Sequence, residues 1–151
     1  MRRSKIEYTQ AGVSLLELMI VVAIVAIVSA LAFPSYMQYV VNTKRTVATS
    51  TLLRVADRQQ QFFMDNKQYT NDLADLGFAA NPLVLADDGT VAAAGDADAV
   101  YSISLSNIAA TTYTITAAPL HGQATRDTDC ASLTLDQSGA RGNSAGGSDC
   151  W

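Results

Sequence analysis

Residues 12–33 carry almost nothing but apolar side chains, and Pro34 closes the run. Residues 13–33 number 21, so at about 1.5 Å per helical residue they measure roughly 31 Å, the thickness of a bilayer's hydrocarbon core. Such a segment can span a membrane. One residue is out of keeping with it. Glu17 places a carboxylate about one helical turn past Gly12, and an ionised group in hydrocarbon costs on the order of several kcal/mol unless a cation meets it. No Lys, Arg or His lies between Val13 and Thr43, so the cation must come from outside the helix or be made by processing. Cutting after Gly12 would make one, the free amino group of Val13. Paired with the Glu17 of its own or, better, of an adjacent staggered helix, that ammonium makes Glu17 a register device, a well-attested use of a buried ion pair.

A short basic leader, Gly12, an apolar residue, Ser14-Leu15-Leu16-Glu17-Leu18 and the apolar run to Pro34 resemble the class III signal and N-terminal helix of type IV pilins. The resemblance implies that a prepilin peptidase cuts after Gly12 on the cytoplasmic side and methylates the new terminus at Val13. It also implies that Glu17 serves assembly and that Pro34 breaks the helix. Val13 stands where phenylalanine is usual, and Ala26 stands where many members have a helix-weakening glycine. The loosening then falls to Pro34, which withholds a donor from the Ala30 carbonyl.

The chain of 151 residues suffices for one domain with a modest core plus its anchor. Arg2, Arg3 and Lys5 predict a cytoplasmic N-terminus and an exported C-terminal part. Removing residues 1–12 takes away three cations and one carboxylate and moves the formal charge from −4 to −6. This acidity argues against nucleic-acid binding. Cys130 and Cys150 fall in the exported part, where an oxidising compartment permits a staple, and their spacing is not that of a redox site.

Beyond Pro34 the helix is expected to resume with a changed character. Met37, Val41, Ala48, Leu52, Val55, Ala56, Phe62 and Phe63 recur at helical spacing, and Lys44, Arg45, Arg54, Asp57 and Arg58 fill much of the remainder. We read those cations as a solvated face, with contact to acidic surfaces of neighbouring subunits as the functional alternative. The helix should fray near Asn66 and Lys67. Tyr69 to Gly77 reads as a capped helical turn, and Phe78 to Ala99 as a connection whose Asp87-Asp88-Gly89 and Asp96-Ala97-Asp98 lack the ladder of a calcium loop.

Alternation then predicts strands through Tyr101, Ile103 and Leu105, through Tyr113, Ile115 and Ala117, and through Ala131, Leu133 and Leu135, with a short fourth near Ala140 to Asn143. Their dry face needs the helix as cover. The expected architecture is α+β, a type IV pilin fold in which a long N-terminal helix lies on an antiparallel sheet with a C-terminal disulfide loop. Its parts are a leader (1–12), a transmembrane or filament-core helix (13–35), an amphipathic continuation (36–66), an αβ-loop (67–99), and the sheet with its Cys130–Cys150 loop (100–151). The ending Asp127 to Leu135, then Gly139, then Cys150-Trp151 resembles in particular the PilE-type minor pilins.

His121 is the sole histidine, which excludes a His-based metal cluster, and we read it as a loop residue. Asp127 and Asp129 read as a solvated approach to a strand. No phosphate loop, nucleophile elbow or Cys-His spacing appears, so no active site, metal or cofactor is expected. The expected partners are the prepilin peptidase, other pilin subunits helix to helix, the inner-membrane assembly platform and the membrane itself. The chain is expected to sit in the inner membrane as a single pass, its head facing the periplasm, and to become extracellular in a pilus. The rivals are a type II secretion pseudopilin, which commonly carries calcium instead of a terminal disulfide, a pilin that captures DNA, and a periplasmic enzyme cleaved at Ala30-Leu31-Ala32.

Overall fold

The structure, a computed structural model, describes residues 12–151. The expected leader lies outside the described residues except for Gly12. The chain divides between Gln38 and Tyr39 into two compact units.

One helix, α1 (Leu15–Asn66), begins in the first unit and ends in the second. Ser14 supplies the carbonyl that takes the first intrahelical bond, from the Leu18 amide at 3.1 Å, and Glu17 lies in the first turn. There the helix's unpaired amides favour a negative charge. Pro34 does not break the helix, contrary to the sequence expectation: it sits inside α1. A proline removes one amide bond, and the turns on either side hold the helical path when they are otherwise intact.

In the second unit, Val41, Arg45, Ala48, Leu52, Val55 and Gln59 are the buried stripe of α1, spaced alternately by four and three residues as one helical face demands. The head's sheet has five antiparallel strands in the order of the chain: β1 (Leu83–Ala86), β2 (Ala99–Ser106), β3 (Thr114–Pro119), β4 (Leu133–Asp136) and β5 (Arg141–Asn143). Every connection joins neighbours. Tyr101, Ile103, Ile115, Ala117, Leu133 and Leu135 turn inward and form one core with Ala48, Leu52 and Val55 of α1 and with Leu73 and Leu76.

Three expectations are corrected here. The stretch read as a bare connection contains β1, whose four residues are all buried. His121 opens a short helix, α2 (His121–Arg126), rather than sitting in a loop. Residues 69–77 form turns, not a helix; Thr70 Oγ1 accepts from the Asp72 amide, and Leu73 and Leu76 point into the core. Gln59, at the far end of the stripe, donates to the Thr70 carbonyl at 2.7 Å and accepts from the Thr70 amide at 3.2 Å. That pair of bonds ties the chain leaving α1 back to the helix.

Candidate functional site

Two places in the molecule handle charge in ways that call for a function. The first is the N-terminal part of α1. Every residue from 12 to 36 is exposed, including Val13 at 71% and Leu15 at 77% of their surface. This is a contiguous apolar surface far larger than a monomer in water tolerates, and the helix is long and apolar enough to cross a membrane. Glu17, one turn in, has no cationic partner within 4 Å among the described residues.

The second place is beneath the C-terminal tail. Arg45 was read as part of a solvated face, but it is 7% exposed and occupies the stripe position between Val41 and Ala48. Its Nη2 donates to Asp127 Oδ1 at 2.6 Å and its Nε to Asp127 Oδ2 at 3.2 Å, a two-pronged pair. Asp127 was read as a solvated strand approach, yet it is 1% exposed at the C-terminus of α2. Its Oδ2 also accepts from the Tyr101 hydroxyl at 3.0 Å and from Gln123 Nε2 at 3.3 Å.

The bonds leave neither charge short of partners, and among the described residues no buried side-chain polar atom lacks one. Asp127, by its hydrogen bond above all, holds the Arg45 guanidinium above its ordinary pKa. Burial pushes the Tyr101 phenol well above its own.

The remaining Arg45 nitrogen, Nη1, donates to the Asp149 carbonyl at 3.0 Å. This bond carries the buried pair into the tail. Cys130 and Cys150 are joined as a disulfide, the Gly147 amide donates to the Asp129 carbonyl at 3.0 Å, and Trp151 Nε1 donates to the Gly142 carbonyl at 3.0 Å. Arg141 lies over the Trp151 ring, 5.3 Å from its centroid. Residue 147 must be glycine: a Cβ there would collide with the Asp129 carbonyl. The glycine-rich tail, which has no regular structure of its own, is thereby fixed on α1, on the Asp129–Cys130 segment and on β5.

The arrangement suits mechanical fixing rather than chemistry. Among the described residues no group of three or more His, Cys, Asp or Glu side chains could hold a metal. The acidic pairs of the β1–β2 connection serve its turns instead: Asp88 Oδ1 accepts from the Thr90 amide and hydroxyl, and Asp96 Oδ2 from the Ala93 amide.

Sequence reasoning missed the Arg45–Asp127 pair, although one signal was available. Arg45 stands four residues after Val41 and three before Ala48, so the stripe passes through it.

Comparison with known proteins agrees with this picture. A family model described as "Type IV minor pilin ComP, DNA uptake sequence receptor" matches residues 34–134, and the prokaryotic N-terminal methylation motif matches residues 8–33. The type IV major pilin protein PilA of Myxococcus xanthus is 34% identical over 79 residues, which cover 52% of this chain and 36% of that one. A fimbrial protein of Pseudomonas aeruginosa is 32% identical over 81 residues, covering 50% of this chain and 53% of that one. The chain thus spans about a third to a half of the length of these relatives. A type IV pilin structure from Shewanella oneidensis aligns with a TM-score of 0.46 at 20% identity, covering 71% of this chain and 92% of that one. The relatives are structural proteins, not enzymes. With a pilin model covering about two thirds of its length and the methylation motif ahead of it, this chain belongs to the type IV pilin family.

Proposed function

We propose that this chain is a structural subunit, in the class of minor pilins, of a type IV pilus. A prepilin peptidase removes the leader after Gly12 and methylates Val13. The subunit waits in the inner membrane as a single pass, its N-terminus cytoplasmic and its head in the periplasm. An inner-membrane platform then moves it into a filament, where its N-terminal helix packs against those of other subunits.

The observation that carries this reading is the exposed apolar stretch of residues 13–36, whose only charged side chain is Glu17. Moving such a helix from lipid to a bundle of like helices dehydrates almost nothing, so packing and the pairing of Glu17 with a neighbour's Val13 ammonium supply the gain. Mass spectrometry of the mature protein tests it. N-methylated Val13 at the terminus is the expected result; a chain beginning at Phe33 would overturn it, since the helix would then be a discarded signal.

A second reading, capture of DNA, draws support from the description of the matching family model and from the Arg141–Trp151 stack, a cation on a ring that could present a base-stacking face. The head's acidity weighs against it. Salt-dependent retention of duplex DNA by the full-length chain in detergent is its test.

A further inference from the structure

The charges of the head are seldom paired with one another. Residues 39–151 carry seven cations and twelve carboxylates, and among them only Arg45 and Asp127 lie within 4 Å of each other. Among the rest, two small groups of opposite sign complement one another.

One is concave and basic. Arg54 and Arg58, a turn apart on α1, line a shallow groove with Leu76, Gly77 and Phe78. The Arg54 guanidinium lies over the Phe78 ring, 5.7 Å from its centroid, which fixes its position. Asp57 also lines the groove, its Oδ2 accepting from Gln61 Nε2 at 2.8 Å, and Asp65 and Asp75 line an adjoining groove with Arg58, so the net positive charge is confined to the Arg54 end.

The other is convex and acidic. The turn after β1 is Asp87-Asp88-Gly89, closed by the Gly89 amide on the Ala86 carbonyl at 3.1 Å and by the Ala86 amide on the Thr90 carbonyl at 2.9 Å. Asp87 and Asp88 are exposed, and Thr90 holds the Asp88 carboxyl below its ordinary pKa, so it stays charged. No Lys or Arg lies between Lys67 and Arg126 in the sequence, and Lys44, one turn before Val47 on α1, makes no ion pair within 4 Å with this turn.

The two places sit at different heights along α1. A Cβ on Gly89 would touch Val47 at 3.6 Å, so the acidic turn lies level with Val47. Arg54 and Arg58 are seven and eleven residues further on, about 10 and 16 Å along the axis. The turn does not meet its own chain's groove.

We propose that the Asp87-Asp88 turn of one subunit docks into the Arg54–Arg58 groove of a second copy of this chain. Two different surfaces meeting at staggered heights make a head-to-tail contact, which propagates as an open helical array instead of closing into a dimer. The contact rests on the pilus reading and adds to it a pairing between heads, separate from the apolar helices.

The test uses the full-length chain in detergent micelles at low ionic strength. Arg58→Lys places an amine in the groove, and a carbodiimide is used to condense it with any carboxylate in contact. The expected product is a covalent dimer whose linking peptide joins residue 58 of one chain to residue 87 or 88 of another. Dimers without that linkage, or no dimer, overturn the proposal. Asp87→Lys and Arg58→Glu should each weaken self-association about three- to tenfold, and the chain carrying both reversals should recover it, because charge pairs of this kind govern partner choice. A doubly reversed chain no better than the single variants overturns it. So does Arg58→Glu losing only DNA retention, an outcome that assigns the groove to nucleic acid. Glu17→Ala keeps the two readings apart: if it blocks filament incorporation while the charge reversals do not, the pilus stands and the docking contact falls.

Discussion

The two halves of α1 meet one physical demand in opposite ways. Within the head, Arg45 is taken out of water and each of its guanidinium nitrogens finds an oxygen, two from Asp127 and one from Asp149. In the first unit, Glu17 stands on an apolar rod with no cation within 4 Å among the described residues. A charge answered inside the chain completes a fold. A charge left unanswered leaves its completion to another molecule. The head thus answers its buried charge from within, whereas the apolar rod suits lipid or other helices like it.

The sharpest way to break this contrast is Asp127→Ala. It would leave the Arg45 guanidinium buried without its anion and deprive Tyr101 and Gln123 of an acceptor; loss of one member of a buried pair costs about 3–5 kcal/mol. Chemical unfolding of the full-length chain in detergent, followed through its aromatic signal, reads this directly. Next comes the double variant Cys130→Ser/Cys150→Ser, which opens a loop of twenty residues and should cost about 3 kcal/mol in the chain-entropy estimate. Gly147→Ala forces a Cβ against the Asp129 carbonyl and should cost about 1–3 kcal/mol as overpacking, with the tail rather than the sheet loosening first in hydrogen exchange.

A pH series sharpens the comparison further. Burial raises the Tyr101 phenol in the folded head, so the folded state holds its proton where the unfolded chain gives it up. The corresponding stability is intact below about pH 10 and is lost as pH rises beyond it, by up to about 1.4 kcal/mol per pH unit for one such group. Tyr101→Phe should flatten that alkaline slope; the residual slope belongs to Tyr113, which burial shifts in the same direction. The smallest effect on the head is that of Glu17→Ala, no change in unfolding, together with normal membrane insertion and reduced incorporation into filaments. Piliation unchanged by this substitution would refute the assembly role.

How much of this could be read from the sequence follows from the range of the interactions. The apolar run, the alternation of Tyr101, Ile103 and Leu105 and that of Tyr113, Ile115 and Ala117 are local patterns, and they mark the rod, β2 and β3 where the structure has them. The cysteines of the tail stand out by chemistry. In contrast, β1 is only four residues long inside a stretch dominated by Ala, Asp and Gly, and its burial depends on β2 on one side and the bridge from Leu85 to Val91 on the other. The Arg45–Asp127 pair joins residues 82 apart; the stripe of α1 marks Arg45 as inward-facing, but nothing near Asp127 in the chain marks it as the partner. Asp127 was misplaced because two aspartates spaced by one residue suggest a strand; α2 ends there instead, and its last turn turns the carboxylate inward.

The tail is held chiefly by main-chain atoms and the disulfide. Arg45 grips the Asp149 carbonyl, the Gly147 amide reaches the Asp129 carbonyl, and Asn143 Nδ2 donates to the Gly147 carbonyl. The exposed side chains of Ala145 and Ser148 carry none of that load. Substitutions at those two positions should therefore leave the frame standing, so the tail separates what it displays from what holds it in place.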